Sequence, residues 1–214
     1  MSTAKRYQAL LGHIAASAFT PRIELDYRTP FELLVAVVLS AQCTDKRVNL
    51  ITPALFAAYP TATLMAQASA ETLYPYIRSV SYPRSKARYL AGLSRALVER
   101  FAAQVPQQVA QLRSLPGVGR KSAHVVAAYL FGAPTIGVDT HVFRVARRLG
   151  LAPKTATTPV AVEKALTVHI PPAERAPTQQ WLVLHGRYVC KARKPACDSC
   201  ALQHACAYFQ ARRR

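Results

Sequence analysis

The stretch Leu115-Pro116-Gly117-Val118-Gly119-Arg120-Lys121-Ser122-Ala123 follows one run of helical periodicity and opens another. Its two glycines fall in the turn, so the chain reads there as helix, tight hairpin, helix. Glycine permits positive φ and lets another group approach the backbone closely, and the free N–H groups at the start of the second helix are donors for an anionic oxygen, phosphate above all. Such a contact grips a nucleic-acid backbone without reading its sequence. An ordinary connection between two helices would also use the glycines. Lys121 shifts the balance. In the first turn of a helix the positive end of the dipole and the adjacent Arg120 both disfavour the charged form of a lysine. A neutral amine is a nucleophile able to form a Schiff base, although contact with phosphate is the simpler role.

Working outward, helical spacing dominates. Phe31, Leu34, Val35, Val38 and Leu39 recur at i, i+3, i+4, i+7 and i+8, and Thr29-Pro30-Phe31-Glu32 starts that helix with a capping residue, a proline where a missing N–H costs nothing, and a glutamate to close a capping box. Further helices are expected near 5–18, 46–58, 69–78, 85–103, 106–113, 120–131, 140–149, 159–168 and 177–189, with prolines between them. Strand-like alternation is nearly absent. The expected fold class is all-α with short connections.

Two more features bear on chemistry. In Val138-Asp139-Thr140-His141-Val142-Phe143-Arg144-Val145, Asp139 reads as a helix N-cap, a position that also fixes a carboxylate where it can accept a proton or stabilise a developing cation. Cys190, Cys197, Cys200 and Cys206 follow the spacing C-x6-C-x2-C-x5-C, too tight a grouping for scattered core thiols. Thiolates select zinc or iron–sulfur, and an S4 donor set suits both. Only Cys197 and Cys200 form the short knuckle typical of zinc, whereas the longer loops suit a cubane held at four corners. Cys43 stands apart and reads as a small apolar residue on a helix.

Composition narrows the partner. Of 214 residues, 28 are Lys or Arg and 10 are Asp or Glu, a formal net charge of +18. Such an excess points to a polyanion. The longest apolar run, Leu33 to Leu39, is far too short to span a bilayer, so no membrane association is expected. The N-terminal stretch after Lys5 and Arg6 faintly imitates a secretory signal but is interrupted by Gln8 and His13, and it reads as an amphipathic first helix. Five cysteines, four crowded near one end, do not make a secreted disulfide framework. The expected compartment is the cytoplasm, in association with the nucleoid.

Taken together, the hairpin LPGVGRK, the segment VDTHVFRV and the four-cysteine spacing resemble the endonuclease III family of the helix–hairpin–helix DNA glycosylase superfamily. The resemblance extends through Leu39-Ser40-Ala41-Gln42 and Ser85-Lys86-Ala87, roughly residues 25 to 208. It implies two lobes: a six-helix barrel over 23–133, with the helix–hairpin–helix at about 106–131, and a cluster lobe built from 1–22 with 134–214. It implies a [4Fe–4S] cluster on Cys190, Cys197, Cys200 and Cys206. The implied partner of this monomer is double-stranded DNA containing damaged bases or abasic sites, lying across the groove of the two lobes.

The same resemblance implies a bifunctional glycosylase and abasic-site lyase of base excision repair, acting on oxidised pyrimidines. Lys121 would attack C1′, Asp139 would assist its activation and stabilise positive charge on the sugar, and β-elimination from the imine would cut 3′ to the lesion. The target base must leave the stack to be reached. Gln42 matches the residue that fills the vacated space. Gly117, Gly119, Arg120, His141 and the basic loop Lys191, Arg193 and Lys194 are the further expected DNA contacts. One loop departs from the family pattern: Ser81-Tyr82-Pro83-Arg84 stands where Gly-Leu-Tyr-Asn is common, placing Tyr82 where an apolar wedge is usual. A mismatch adenine glycosylase would have a glutamate at the position of Ala36 and no hairpin lysine; an 8-oxoguanine glycosylase would lack the cysteines. The alternative of another class is a catalytically weak or non-catalytic DNA-binding member of the same fold.

Overall fold

The computed structural model describes residues 1–17, 19–20 and 22–212. Every regular element among them is helical, as the periodicity demands. None of the helices is long and apolar enough to cross a membrane. The chain divides into two compact units, one over Ile23–Phe131 and one assembled from Met1–Arg22 and Gly132–Arg214.

The Ile23–Phe131 unit holds seven helical segments: α2 (Pro30–Leu39), α3 (Asp45–Ala58), α4 (Ala62–Ala66), α5 (Ala70–Ile77), α6 (Pro83–Phe101), α7 (Val109–Arg113) and α8 (Arg120–Phe131). α2 is its centre. Sequence spacing suggests one apolar face, but every residue from Phe31 to Leu39 is buried, because α3, α6 and α8 all pack on it. A helix enclosed on all sides has no polar face to keep. Its start departs slightly from the expected capping box. Thr29 accepts from Glu32 N at 3.2 Å, but the Glu32 carboxylate takes the N–H of Arg28 (2.6 Å) and pairs with the Arg28 guanidinium (3.1 Å). α6 stops at Phe101 rather than 103, because Ala102 and Ala103 both turn left-handed (φ 49° and 59°). α7 begins at Val109, beyond the turn that follows Pro106.

The second unit comprises α1 (Thr3–Ala16), α9 (Thr140–Leu149), α10 (Pro159–His169), α11 (Arg175–Tyr188) and α12 (Ala207–Arg212), with a 3-10 turn at Pro172–Glu174. Its core joins Tyr7, Leu10 and Ile14 of α1 to Val142, Val145 and Leu149 of α9, Val162 and Leu166 of α10, and Trp181 and Leu182 of α11. α9 is central here, contacted by α10, α11 and α12. The approach of α11 depends on Gly186, where a Cβ would stand 2.8 Å from His141 Cβ and 3.2 Å from a Val145 methyl. α9 ends at Gly150 in the left-handed conformation (φ 79°), the usual stop for a helix.

Candidate functional site

Within the Ile23–Phe131 unit the hairpin takes the form read from the sequence. Gly117 has φ 78°, and a Cβ there would lie 2.8 Å from Tyr89 Cβ, so conformation and packing both exclude a side chain. Gly119 is different. A Cβ at Gly119 meets nothing within 4 Å, so no internal contact asks for its smallness and its backbone is open to a ligand. Arg120 and Lys121 are both exposed at the start of α8, where the free amides of the first turn gather, and Ser122 behind them is buried.

Two loops of the same unit carry Gln42 and Tyr82. Gln42 and Cys43 do not lie on a helix, as the sequence spacing suggests, but in the turn between α2 and α3. Gln42 is exposed there with φ 54°. Tyr82 precedes α6, also with φ 54°, and is 63% exposed. Ser81 Oγ donates to Gln42 O at 2.7 Å, and the buried Lys86 Nζ donates to Leu39 O and Ala41 O, both at 2.7 Å. Burial pushes the Lys86 ammonium below the ordinary lysine range, opposed by Cys43. Neither anchor is singled out by sequence reasoning. The signal was present: Lys86 falls on the face of α6 that holds Leu90, Leu93 and Leu97, where a lysine must find carbonyls.

In the second unit Asp139 is the N-cap of α9, as its place before Thr140 suggests. Its Oδ1 accepts from His141 N and Val142 N, both at 2.8 Å, and its Oδ2 lies 3.2 Å from His141 Nδ1. Three interactions fix the carboxylate, and both Asp139 and His141 remain partly exposed.

Cys190, Cys197, Cys200 and Cys206 line one cavity enclosing about 330 Å³ including its mouth, completed by apolar groups such as Leu149, Val189 and Phe209. Burial pushes the Cys200 and Cys206 thiols up, reinforced by charge on the neighbouring cysteines. Among the described residues no three His, Cys, Asp or Glu side chains meet the spacing of a single-ion site. Four thiols lining one largely apolar cavity are the donor chemistry of an iron–sulfur cluster. His185 lies beside it, its Nε2 3.7 Å from Cys200 Sγ and its ring stacked on Trp181 at 4.3 Å. Burial, then nearby His13, pushes His185 down to about 4.

The loop between Cys190 and Cys197 exposes Lys191, Arg193 and Lys194. Arg148 braces it, donating to Lys191 O (2.7 Å) and Ala192 O (3.1 Å) and reaching Cys190 Sγ at 3.5 Å, while Arg144 donates to Cys190 O at 3.0 Å. The sequence hides these roles, since an arginine in Ala146-Arg147-Arg148-Leu149 reads as one more surface charge.

Residues 35–172 match the HhH-GPD superfamily base excision DNA repair protein family. Endonuclease III of Rickettsia conorii is 48% identical over 189 residues, 88% of this chain and 89% of the relative. Endonuclease III of Escherichia coli is 42% identical over 208 residues, 97% of each chain. The solved structure of a trapped endonuclease III–DNA covalent intermediate, an estranged-adenine complex, matches with a TM-score of 0.93 at 42% identity over 100% of both chains. A thermostable thymine-DNA glycosylase, 20% identical with a TM-score of 0.83, shares the fold. With identity at this level over nearly the whole length, the chain belongs to the endonuclease III family of the HhH-GPD superfamily.

Proposed function

We propose that this protein is a bifunctional DNA glycosylase and abasic-site lyase that removes oxidised pyrimidines from double-stranded DNA in the cytoplasm, at the nucleoid. The observation that carries the reading is the hairpin, which presents Lys121 exposed in the first turn of α8 beside a backbone left open at Gly119. In this reading the amides of residues 119–121, with the Arg120 side chain, hold phosphate, and Lys121 Nζ forms a bond to C1′ of the damaged nucleotide. The N-glycosidic bond breaks and its electron pair leaves with the base. Loss of the Lys121 protons and opening of the sugar give an imine; β-elimination then expels the 3′ phosphate, and water releases the enzyme. Asp139, held by the first amides of α9, stabilises the positive charge that develops on the sugar and takes part in proton transfer; His141 orients that carboxylate and contacts the DNA. Gln42 and Tyr82 enter the space vacated by the target base, and Lys191, Arg193 and Lys194 meet phosphates.

Cys190, Cys197, Cys200 and Cys206 would hold a [4Fe–4S] cluster, supported by their shared apolar cavity. When bound, the cluster supplies four strong iron–sulfur bonds that cross-link the C-terminal segment. Arg148 and Arg144 then hold the basic loop by its carbonyls, with its side chains left facing out.

Borohydride trapping on a duplex containing thymine glycol tests the assignment. The native protein should give a covalent adduct that maps to Lys121, and Lys121→Gln should abolish both adduct and strand cleavage while still binding DNA. Asp139→Asn, which keeps size and some capping ability but not charge, should slow base excision by roughly two or more orders of magnitude. An adduct that persists in Lys121→Gln at another amine would overturn the role of Lys121. Binding without any adduct in the native protein would favour a non-catalytic member of the fold.

A further inference from the structure

Gln42 and Tyr82 share an unusual backbone. Each has φ 54°, in the left-handed region that disfavours residues bearing a Cβ. Strain of this kind persists only where the surroundings over-determine it. Here three hydrogen bonds do so. The turn after α2 is tied down at Leu39 O and Ala41 O by Lys86 Nζ, and at Gln42 O by Ser81 Oγ, all at 2.7 Å. Both donors belong to the Tyr82 side: Ser81 is its chain neighbour, and Lys86 lies one turn into α6, its amide bonded to Tyr82 O at 3.1 Å. The positive ammonium also sits at the C-terminal, negative end of α2, where it is electrostatically favoured. Each loop thus holds the other in its strained form, with both side chains exposed.

We propose that Ser81 and Lys86 are positioning residues that join the Gln42 and Tyr82 loops into one preset, two-pronged wedge for entry into the DNA stack. This rests on the reading above that Gln42 and Tyr82 enter the duplex. Fixing both prongs in advance removes an ordering cost that would otherwise fall on the extrusion step. Phosphate binding through the hairpin does not depend on it. The Ser81 hydroxyl departs from the family pattern, for the glycine common at that place has no side chain to bond Gln42 O.

The test is a double-mutant cycle of Ser81→Ala and Gln42→Ala, read as single-turnover base excision from a thymine glycol duplex, with affinity for undamaged duplex measured alongside. Loss of one hydrogen bond in Ser81→Ala should slow excision by about two- to tenfold with unchanged affinity. Since Ser81 acts in part by placing Gln42, the double variant should be slowed by less than the product of the two single effects, whereas independent roles would multiply. A native rate in Ser81→Ala, or multiplied effects in the double variant, overturns the proposal. A native rate in Gln42→Ala overturns instead the wedge reading on which it rests. Lys86→Met removes a buried donor and tests folding as much as positioning, so the partly exposed Ser81 carries the decision.

Discussion

Tyr7 is a phenol enclosed by the core of the second unit, its hydroxyl 2.9 Å from Leu151 O and 3.1 Å from Ala165 O. It has one proton to share between two carbonyls, and burial pushes its ionisation well above the ordinary tyrosine range. A folded-state value raised above the unfolded one means that the neutral phenol's stabilisation is whole below about pH 10 and is lost as pH rises beyond it. Tyr7→Phe should therefore cost about 1 kcal/mol at neutral pH, the worth of one hydrogen bond, and lose less stability than the native protein between pH 9 and 11. Melting curves across that range check it; parallel losses in the two proteins would show that another group sets the alkaline limit. Nothing in the sequence distinguishes Tyr7 from the other nine tyrosines, because its role depends on carbonyls far along the chain.

At the scale of helices, the close crossing of α9 and α11 turns on Gly186. Gly186→Ala would bring a Cβ within 2.8 Å of His141 Cβ, beside the Asp139 cap. We expect a loss of about 1–3 kcal/mol in stability from overpacking, seen as a lower midpoint in chemical denaturation, together with slower base excision as the α9 N-terminus shifts. An unchanged midpoint would mean that the helices part without cost. The long helices with clear periodicity were legible in the sequence, and so was Asp139 as a cap, since both rest on local spacing. Two helices escaped: α4 and α12, five and six residues long, too short for a repeat to show. The α2–α3 turn escaped for another reason. Ser40-Ala41-Gln42-Cys43 has no glycine or proline to mark a turn, and its left-handed Gln42 is held by Ser81 and Lys86, residues of another element. The place of Lys121 at the start of α8 and the grouping of the four cysteines could be read because both rest on residues close in sequence, whereas the anchors Lys86, Arg144 and Arg148 act on carbonyls some forty residues away.

At the scale of the molecule, one unit is a single stretch of chain and the other is assembled from two. The proposed cluster belongs to the second. Freshly purified, anaerobically handled protein should be yellow-brown and contain about four irons per chain. Stoichiometric zinc in such protein would overturn the cluster assignment. The split also sets an order of manufacture. α1 leaves the ribosome ahead of everything it packs on, for Leu151, whose carbonyl meets Tyr7, follows 144 residues later. At ~5–20 residues per second that is a wait of about 7–30 s. In that interval the whole Ile23–Phe131 stretch emerges, so the half that carries the hairpin is free to fold while the first helix is still unpartnered. The cysteines at 190–206 arrive later still. The proposed cluster would therefore be assembled only after the lysine-bearing stretch had emerged and been free to fold, in a unit that joins α1 to segments made more than a hundred residues later.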